Sequence, residues 1–530
     1  MGVTLRLKGT VYQFFPYPTL VLFRFLRSNP PFSNGFLFVL FGLWCYIGIR
    51  SVLLSFTHDE SLTFTIVCGS TDWIRTANNH FLNTFLTAVS ANIWGYDEWA
   101  LRLPNVLAFG LYALMGYRLL RPLPPISAIL GLTILFFNPF VLDFFSLSRG
   151  YGLAMAFELS AIYYLLLFVR RRQMRHAWLS AIAGFLMLYS NFSFLVPYFA
   201  LLLILSITYI YYQYKQWRRN SELHPPLNAQ GLLALLASIK RDVSIAPLLR
   251  LLGAVAIICL PAVGFSVLLR QKGELYFGGN TGFFADTVQS LLLSTVYQPH
   301  THTWLLNGWG YLAGIFYIAI ILLLLPYWRY WFRSMFGVLL LQLNICIVTC
   351  LVLHQLLGLL LPIERTALYF VPLTGLSVAY GLHTLLQIVR RQTGLSAIIR
   401  CAALSVVVVL GLNWARNANL SHTLTWRYDA DTYKALSTLQ QDYAPRYISD
   451  ANPAKVAASW NLEPVLNYYR ITRNFYWLDP IERDDMHSAT YDYYFCFRQD
   501  MPNLACDDRQ IAMVRHFDLA KTLLLVEMRQ

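Results

Sequence analysis

Length, composition and charge already restrict the class of this protein. The chain has 530 residues, of which 57% are hydrophobic, 16% are aromatic and only 13% are charged. Soluble proteins carry about a quarter charged residues, so this composition excludes a string of soluble domains and indicates a membrane protein. Eight scattered cysteines and 29 glycines exclude a disulfide scaffold and a collagen-like chain.

Long apolar segments recur along the first 414 residues. A transmembrane helix needs about 20 mostly apolar residues. Segments of this kind lie at 35–56, 101–120, 124–142, 150–169, 176–190, 192–212, 248–269, 305–326, 334–356, 366–388 and 396–414. The sequence therefore predicts a polytopic α-helical membrane protein with about 11 transmembrane helices.

The net charge of +14 has an explanation other than nucleic-acid binding. Lys and Arg concentrate in the loops that are cytoplasmic if residue 1 is cytoplasmic, for example in the run 170–172 and at Lys215, Arg390 and Arg391. Because cytoplasmic loops retain these residues, the distribution predicts a cytoplasmic N-terminus and an external C-terminus. Membrane lipid is therefore an expected partner of the chain, and nucleic acid is not.

The predicted spans divide the chain into three parts. Residues 1–34 form a cytoplasmic or interfacial segment, in which we interpret the run 17–26 as an interfacial amphipathic helix. Residues 35–414 form the transmembrane domain, whose first outer loop is 57–100. Residues 415–530 are more polar and acidic, and they form a soluble extracytoplasmic domain.

The C-terminal part has the pattern of a small α/β domain. Helix-like and strand-like runs alternate there, at 432–439, 463–469, 491–497 and 522–526. Cys496 and Cys506 lie in this part of the chain. They are either bridged, as an oxidising compartment allows, or two buried thiols.

The first outer loop, 57–100, is too long for a simple connector. Its first residues fit a capping box, with Thr57 as the N-cap and Glu60 at N3 of a helix. A second helix is indicated by apolar residues at helical spacing, Phe81, Leu82, Phe85, Leu86 and Val89. Asp59 and Glu60 either only complement a helix dipole or form the acidic part of an active site at the membrane surface.

An ordered set of motifs, each at an outer membrane edge, favours the active-site interpretation. The set comprises His58-Asp59-Glu60 after the first span, Trp73, Asn78-Asn79-His80, the run from Glu98 to Pro104, Arg149-Gly150-Tyr151-Gly152 and Pro362-Ile363-Glu364-Arg365. In this set the chain resembles the GT-C membrane glycosyltransferases of glycosyltransferase family 39. That group includes the protein O-mannosyltransferases and the lipid A aminoarabinose transferases.

The resemblance implies an inverting glycosyltransferase. Such an enzyme moves a sugar from a polyprenyl-phosphate donor to an acceptor hydroxyl on a protein, lipid or glycan. The leaving group is a phosphate, so the reaction needs a base for the acceptor and cations for the phosphate rather than a strong acid. Asp59 is the expected base, and Glu60 would orient Asp59 or a metal. Arg149 and Arg365 would bind the donor phosphate, because a guanidinium at the edge of a span needs an anionic partner.

Further polar residues of the outer loops are expected to support this site. His80 would donate to the phosphate or bind a metal, and Glu98 would assist Asp59 or form an i, i+4 ion pair with Arg102. The other supporting residues are His58, Asn79, Lys272 and Tyr276. No cofactor is required by the chemistry, although a divalent cation stays open, and the metal ligands are unknown. The resemblance implies an integral protein of a bacterial inner membrane, with the site facing the periplasm or outside.

Other classes of membrane protein remain alternatives. A transporter or lipid flippase would carry ionisable residues in the middle of its spans, where Glu158 is the main example. A glycan ligase that uses a polyprenyl-diphosphate donor is the nearest alternative among enzymes. A non-catalytic scaffold for glycan assembly is the third.

Overall fold

The computed structural model describes residues 3–7, 10–14, 30–71, 79–220, 245–297, 334–443, 453–483, 491–500 and 511–527, together with residues 308 and 314. Several features named in the sequence analysis lie outside these ranges. They are the predicted interfacial helix at 17–26, the predicted span 305–326 except for residues 308 and 314, Trp73, Asn78 and Cys506.

Helices account for most of the described chain. An antiparallel hairpin, β1 (Val3–Leu7) and β2 (Thr10–Phe14), precedes them. The helices up to residue 220 are α1 (Pro30–Leu53), α2 (His58–Val67), α3 (Phe81–Trp94), α4 (Glu98–Leu120), α5 (Pro125–Phe136), α6 (Pro139–Phe145), α7 (Tyr151–Arg171), α8 (Met174–Ser190) and α9 (Leu195–Asn220). After them come α10 (Ala246–Gln271), α11 (Ser290–Val296), α12 (Met335–Leu357), α13 (Phe370–Ile388), α14 (Thr393–Asn417), α15 (Thr432–Tyr443) and α16 (Glu463–Thr472).

Several of these helices can cross a membrane. Among the described residues, seven are long and apolar enough to do so, namely α1, α4, α7, α9, α10, α12 and α14. Helices α5 and α6 together would form an eighth span, which is bent by 58°. The protein is therefore a polytopic helical membrane protein, as predicted. Helices α8 and α13 also coincide with predicted segments, and the number of eleven spans stays a prediction.

The bend between α5 and α6 has a local cause. Pro139 cannot donate a backbone hydrogen bond, so the helix is interrupted there. The side chain of Asn138 accepts hydrogen bonds from the amides of Phe140 and Val141, at 3.1 and 3.4 Å, and so caps the new helix. The sequence Asn-Pro thus ends one helix and starts the next.

The chain forms two compact units. The first comprises residues 1–44, 108–141 and 153–417. Within it α5 packs against α13 and α14, and α12 packs against α9 and α13. Small residues allow the helices to approach closely: a Cβ on Gly131 of α5 would lie 2.9 Å from the Cβ of Ala379 of α13.

The second unit comprises residues 45–107, 142–152 and 418–530. It contains a four-stranded sheet of order β3-β4-β6-β5, formed by Val456–Ala458, Tyr493–Phe497, Thr522–Glu527 and Ile511–Phe517. Strands β3 and β4 are parallel, and the other pairs are antiparallel. Helices α15 and α16 cover a core that includes Leu436, Val465 and Leu524. The four runs predicted in the tail coincide with α15, α16, β4 and β6.

Within the second unit, the C-terminal segment packs on the first outer loop. Helix α16 packs on α2, and the ring of Tyr468 on α16 stacks on Phe56 with the ring centroids 3.8 Å apart. Tyr469 accepts the backbone N–H of Phe56 at 2.8 Å. Cys496 is buried in the sheet, and burial raises the pKa of its thiol to about 12. The external location of this tail stays a prediction.

Candidate active site

Helix α2 begins at the predicted capping box. Thr57 has extended backbone angles and is the N-cap, and Glu60 stands at N3. The carboxylate of Glu60 accepts hydrogen bonds from the backbone amide and the hydroxyl of Thr57, both at 3.1 Å. His58, Asp59 and Glu60 are all buried, so the first turn of α2 carries two acidic side chains into the protein interior.

Glu60 forms a buried, bidentate ion pair with Arg102 of α4. Arg102 donates from Nε to Oε1 at 2.8 Å and from Nη2 to Oε2 at 2.7 Å, and both side chains are 0% exposed. The amide of Ser148 donates to Oε1 at 2.7 Å. The remaining N–H groups of the guanidinium bind carbonyl oxygens at the end of α1, those of Ser51, Leu54 and Ser55. A buried ion pair is tolerated only when it is saturated in this way.

The alternative that pairs Glu98 with Arg102 is wrong. Arg102 binds Glu60, and Glu98 instead accepts from Arg473 of the segment after α16 at 2.7 Å. Arg473 also binds Asp97 at 2.7 Å. The guanidinium of Arg102 is fully buried, and its partner Glu60 is a carboxylate that is fully buried as well. Glu98 is partly exposed and is paired with Arg473.

Asp59 forms the second buried ion pair of this turn. Nη2 of Arg149 lies 3.0 Å from Oδ2 of Asp59, with exposed fractions of 1% and 8% for the two side chains. Nη1 of Arg149 also donates to the backbone oxygen of Asp59 at 3.1 Å and to the hydroxyl of Thr63 at 3.4 Å. Two neighbouring residues of one segment, Ser148 and Arg149, therefore bind two neighbouring carboxylates of the other. The structure brings together the predicted base and one predicted phosphate ligand.

Gly150 and Gly152, which follow Arg149, are each required for a different structural reason. Gly150 has a φ of +68°, which a residue with a side chain adopts only under strain. A Cβ on Gly152 would lie 2.7 Å from the backbone oxygen of Phe144 and 3.0 Å from Oδ1 of Asn105. The Arg-Gly-Tyr-Gly motif thus combines a turn with a close approach of the chain, and it directs Arg149 to α2.

The Asn79-His80 motif lies beside the same turn. Oδ1 of Asn79 accepts the hydroxyl of Thr84 at 2.7 Å, and His80 is the N-cap of α3. The ring of His80 contacts Tyr151 edge-on, with the centroids 5.5 Å apart. The next turn of α3 joins this network, because the amide of Asn83 donates to the backbone oxygen of Ser148 at 3.2 Å. Asn79 thus orders the start of α3, and His80 contacts the segment that carries Arg149.

A hydrogen bond fixes the position of one ring proton of His58. Its Nδ1 lies 2.7 Å from the backbone oxygen of Asn461, which can only accept, so Nδ1 carries the proton. Burial lowers the pKa of the imidazole, although the bond to Asn461 and the charge of Asp59 oppose this effect. The lone pair of the neutral ring is consequently on Nε2.

Three contacts in the second unit have no counterpart in the sequence interpretation. The backbone amide of His58 donates to Asp429 at 2.7 Å, across 371 positions of the chain. Arg50 at the end of α1 forms a buried ion pair with Asp143 at 2.7 Å and also donates to the backbone oxygen of His422. Burial and the charges of Arg427 and Arg50 lower the pKa of His422 to about 4. No local pattern marks such partners, because each is distant in sequence.

Arg365, Lys272 and Tyr276 belong to the first compact unit, whereas the residues above belong to the second. The guanidinium of Arg365 lies over the ring of Phe277, 4.2 Å from its centroid. The segment that carries Phe277 and the segment that carries Arg365 are joined by two backbone hydrogen bonds between Gly279 and Leu361, both 2.9 Å long. Lys272 and Tyr276 are exposed. The roles of these three residues in donor binding stay predictions.

A divalent cation is held by several ligands at once. Within the described part of the chain, no three His, Cys, Asp or Glu side chains form a cluster that could hold a metal ion. A divalent cation at this site stays a prediction.

Comparisons with known proteins give structural neighbours but no relatives in sequence. No family model and no curated protein matches the chain. The structure of ArnT from Cupriavidus metallidurans bound to undecaprenyl phosphate aligns with 94% of this chain and 98% of its own, with a TM-score of 0.49 and 12% identity. The apo state of ArnT aligns with 93% and 98%, with a TM-score of 0.45 and 10% identity.

A further neighbour is the arabinosyltransferase EmbB from Mycobacterium smegmatis. It aligns with 79% of this chain and 44% of its own, with a TM-score of 0.35 and 15% identity. ArnT and EmbB are GT-C glycosyltransferases, the class that the loop motifs resemble.

Proposed function

We propose that this protein is an inverting GT-C glycosyltransferase that moves a sugar from a polyprenyl-phosphate donor to an acceptor hydroxyl. The observation that carries the proposal is the buried pair of Asp59 and Arg149, joined at 3.0 Å. A carboxylate that can take a proton and a guanidinium that can bind a phosphate are the two groups that this transfer requires. They come from segments 90 positions apart.

The reaction follows from the chemistry of these two groups. The acceptor hydroxyl gives its proton to Asp59 as its oxygen forms a bond to the anomeric carbon. The bond from that carbon to the phosphate oxygen breaks, and its electron pair leaves with the polyprenyl phosphate. Arg149 stabilises the charge that develops on the phosphate, an effect that is strong at a site from which water is excluded.

In the proposed mechanism donor binding also frees the base. The guanidinium of Arg149 forms an ion pair with Asp59, and a phosphate group competes for the same positive charge. When the phosphate takes Arg149, the carboxylate of Asp59 becomes available to the acceptor. Glu60 is assigned a positioning role, because its oxygens are occupied by Arg102, Ser148 and Thr57.

The setting of the reaction belongs to the same proposal. The isoprenoid tail of the donor requires a bilayer, and this chain is a membrane protein. From the distribution of the basic loops we infer a site on the outer side of the membrane, which for a bacterial inner membrane is the periplasmic side. The acceptor is a hydroxyl of a protein, lipid or glycan, and Arg365 is the second candidate ligand of the donor phosphate.

The substitution Asp59→Asn tests the proposal. Purified protein in nanodiscs is given a panel of polyprenyl-phosphate sugars with protein, lipid A and glycan acceptors, and the released polyprenyl phosphate is measured by mass spectrometry. Loss of a positioned base lowers turnover by about 10²-fold or more. Binding of undecaprenyl phosphate should be retained or strengthened, because Arg149 is no longer held by a carboxylate. Retained binding also shows that the variant is folded.

Two comparisons make this test specific. Asp97→Asn removes a carboxylate of the same loop whose side chain is 49% exposed, and it should leave turnover within about threefold of wild type. Arg149→Gln should weaken the binding of undecaprenyl phosphate itself. Near-normal turnover by Asp59→Asn would refute the role of Asp59. Transfer from polyprenyl-diphosphate sugars alone would favour the glycan ligase.

A further inference from the structure

A third acidic residue lies at the start of α2. Asp429 ends a short 3-10 turn, Arg427–Asp429, in the C-terminal segment, and its side chain is almost fully buried. Its Oδ2 accepts the backbone N–H of His58 at 2.7 Å. The first N–H groups of a helix have no partner within the helix, and Asp429 supplies one from a distant part of the chain. The residue it holds is the immediate neighbour of Asp59.

The surroundings of Asp429 disfavour a charge on its carboxyl group. Its Oδ1 has no hydrogen-bond partner among the residues that the structure describes. The guanidinium groups that bind α2 are paired with the other two acids, Arg149 with Asp59 and Arg102 with Glu60. A buried carboxylate without a cation is costly, and a third one beside two others adds repulsion.

The pKa of Asp429 reflects this environment. Burial raises it well above its usual range, and the negative charges of Asp59 and Glu60 raise it further, although the hydrogen bond from His58 opposes them. The titratable and charged groups around Asp429 are His58, Asp59 and Glu60 on α2, with Arg427 and Asp431 next to it on its own segment. Burial and these two negative charges thus favour the protonated form of the carboxyl group.

We infer that Asp429 is a positioning residue of the transfer reaction and that it works as a neutral carboxylic acid. It fixes the backbone of His58, and hence the carboxylate of Asp59, without bringing a third negative charge to the site. The inference rests on the proposed function of Asp59. When Asp429 ionises at alkaline pH, repulsion from Asp59 and Glu60 displaces it from the first turn of α2, and transfer slows.

The effect of Asp429 on stability has a defined sign. In the unfolded chain an aspartate loses its proton near pH 4, about its reference value. In the folded protein Asp429 keeps the proton to higher pH, so the folded state binds more protons than the unfolded state between these two values. The stabilisation is complete below the unfolded pKa and is lost as pH rises through the raised folded pKa.

Replacing Asp429 by asparagine separates the effect of its hydrogen bond from the effect of its titration. The variant Asp429→Asn can accept the same N–H of His58 through its amide oxygen, but it has no proton to lose. The variant should therefore keep Asp59 in position and lose only the alkaline titration at position 429.

The test compares three variants with wild type in nanodiscs. Asp429→Asn keeps the cap, Asp429→Ala removes it, and Asp431→Asn changes a neighbouring buried carboxylate that accepts the amide of Ala520. The kcat for transfer and the melting temperature are each measured from about pH 5 to about pH 10.

We expect the alkaline decline of kcat to disappear or to move up by about one pH unit or more in Asp429→Asn, with kcat at neutral pH within about threefold of wild type. Its melting temperature should exceed that of wild type at neutral and alkaline pH. Asp429→Ala should lower kcat about tenfold or more at every pH, because Asp59 is displaced. Asp431→Asn should keep the wild-type profile.

Three outcomes would contradict the inference in different ways. A wild-type pH profile of kcat in Asp429→Asn, with transfer intact, would refute the role of Asp429 and leave the proposed function standing. The absence of transfer by the wild-type protein with every donor would refute the proposed function, and the positioning role would fall with it. A melting temperature of Asp429→Asn below that of wild type at neutral pH would show that Asp429 is charged, against the inference.

Discussion

The substitution Glu60→Gln would leave the guanidinium of Arg102 buried without its counter-charge. Both side chains are 0% exposed, and Glu60 accepts two hydrogen bonds from Arg102, one from Ser148 and two from Thr57. An amide group has only one oxygen and cannot replace all of these acceptors. Its NH₂ group is a donor and would face the N–H donors of Arg102 or Ser148.

The size of the effect follows from this burial. Breaking a buried ion pair by removing one partner costs about 3 to 5 kcal/mol. Glu98→Gln is a matched control, because it removes a carboxylate that also binds an arginine, but Arg473 is 32% exposed and keeps Asp97. An exposed pair of this kind contributes about 0 to 1 kcal/mol. Unfolding in mixed micelles, titrated with SDS and followed by tryptophan fluorescence, measures both values.

The double variant Glu60→Gln, Arg102→Met provides the decisive comparison. Replacing a buried charged group together with its partner by uncharged groups is often close to neutral, so the double variant should be more stable than Glu60→Gln alone. If Glu60→Gln destabilises the protein no more than Glu98→Gln does, the buried pair does not hold α2 to α4, and the positioning role of Glu60 is wrong.

Two further predictions concern the membrane domain. Glu158 on α7 is buried, and neither of its carboxyl oxygens has a hydrogen-bond partner in the described part of the chain. In a glycosyltransferase Glu158→Gln should leave turnover within about threefold of wild type, whereas a proton-coupled carrier would lose its activity, so a loss of turnover would count against our assignment. Cysteine labelling in intact cells should find residue 220 shielded in the cytoplasm and the C-terminus accessible from outside, as the distribution of Lys and Arg requires; a shielded C-terminus would contradict the predicted topology.

Local features of the structure could be predicted from the sequence because their causes are local. The N-cap at Thr57 and the box with Glu60 depend on residues three positions apart, and both are confirmed. The helical runs in the tail depend on a period that fits within one helix. The apolar spans depend on composition over about 20 residues, and most of them coincide with helices.

The partners at the site could not be predicted, because they depend on the folded chain. Arg102 lies 42 positions from Glu60, Arg149 lies 90 from Asp59, and Asp429 lies 371 from His58. Spacing rules therefore offer Glu98, one helical turn away, as one possible partner of Arg102. Spacing does not reveal the burial of the guanidinium, and the buried partner is Glu60.

The two neighbouring acids of the Asp-Glu motif have different roles for a geometric reason. Successive residues of an α-helix point about 100° apart, so Asp59 and Glu60 cannot face the same partner. Glu60 accepts five hydrogen bonds, which is about the capacity of a carboxylate, and has no room for a substrate proton. Asp59 is held by Arg149, which a phosphate can also bind. In the proposed mechanism the first acid is therefore released only when the donor arrives, while the second keeps the helix in place throughout.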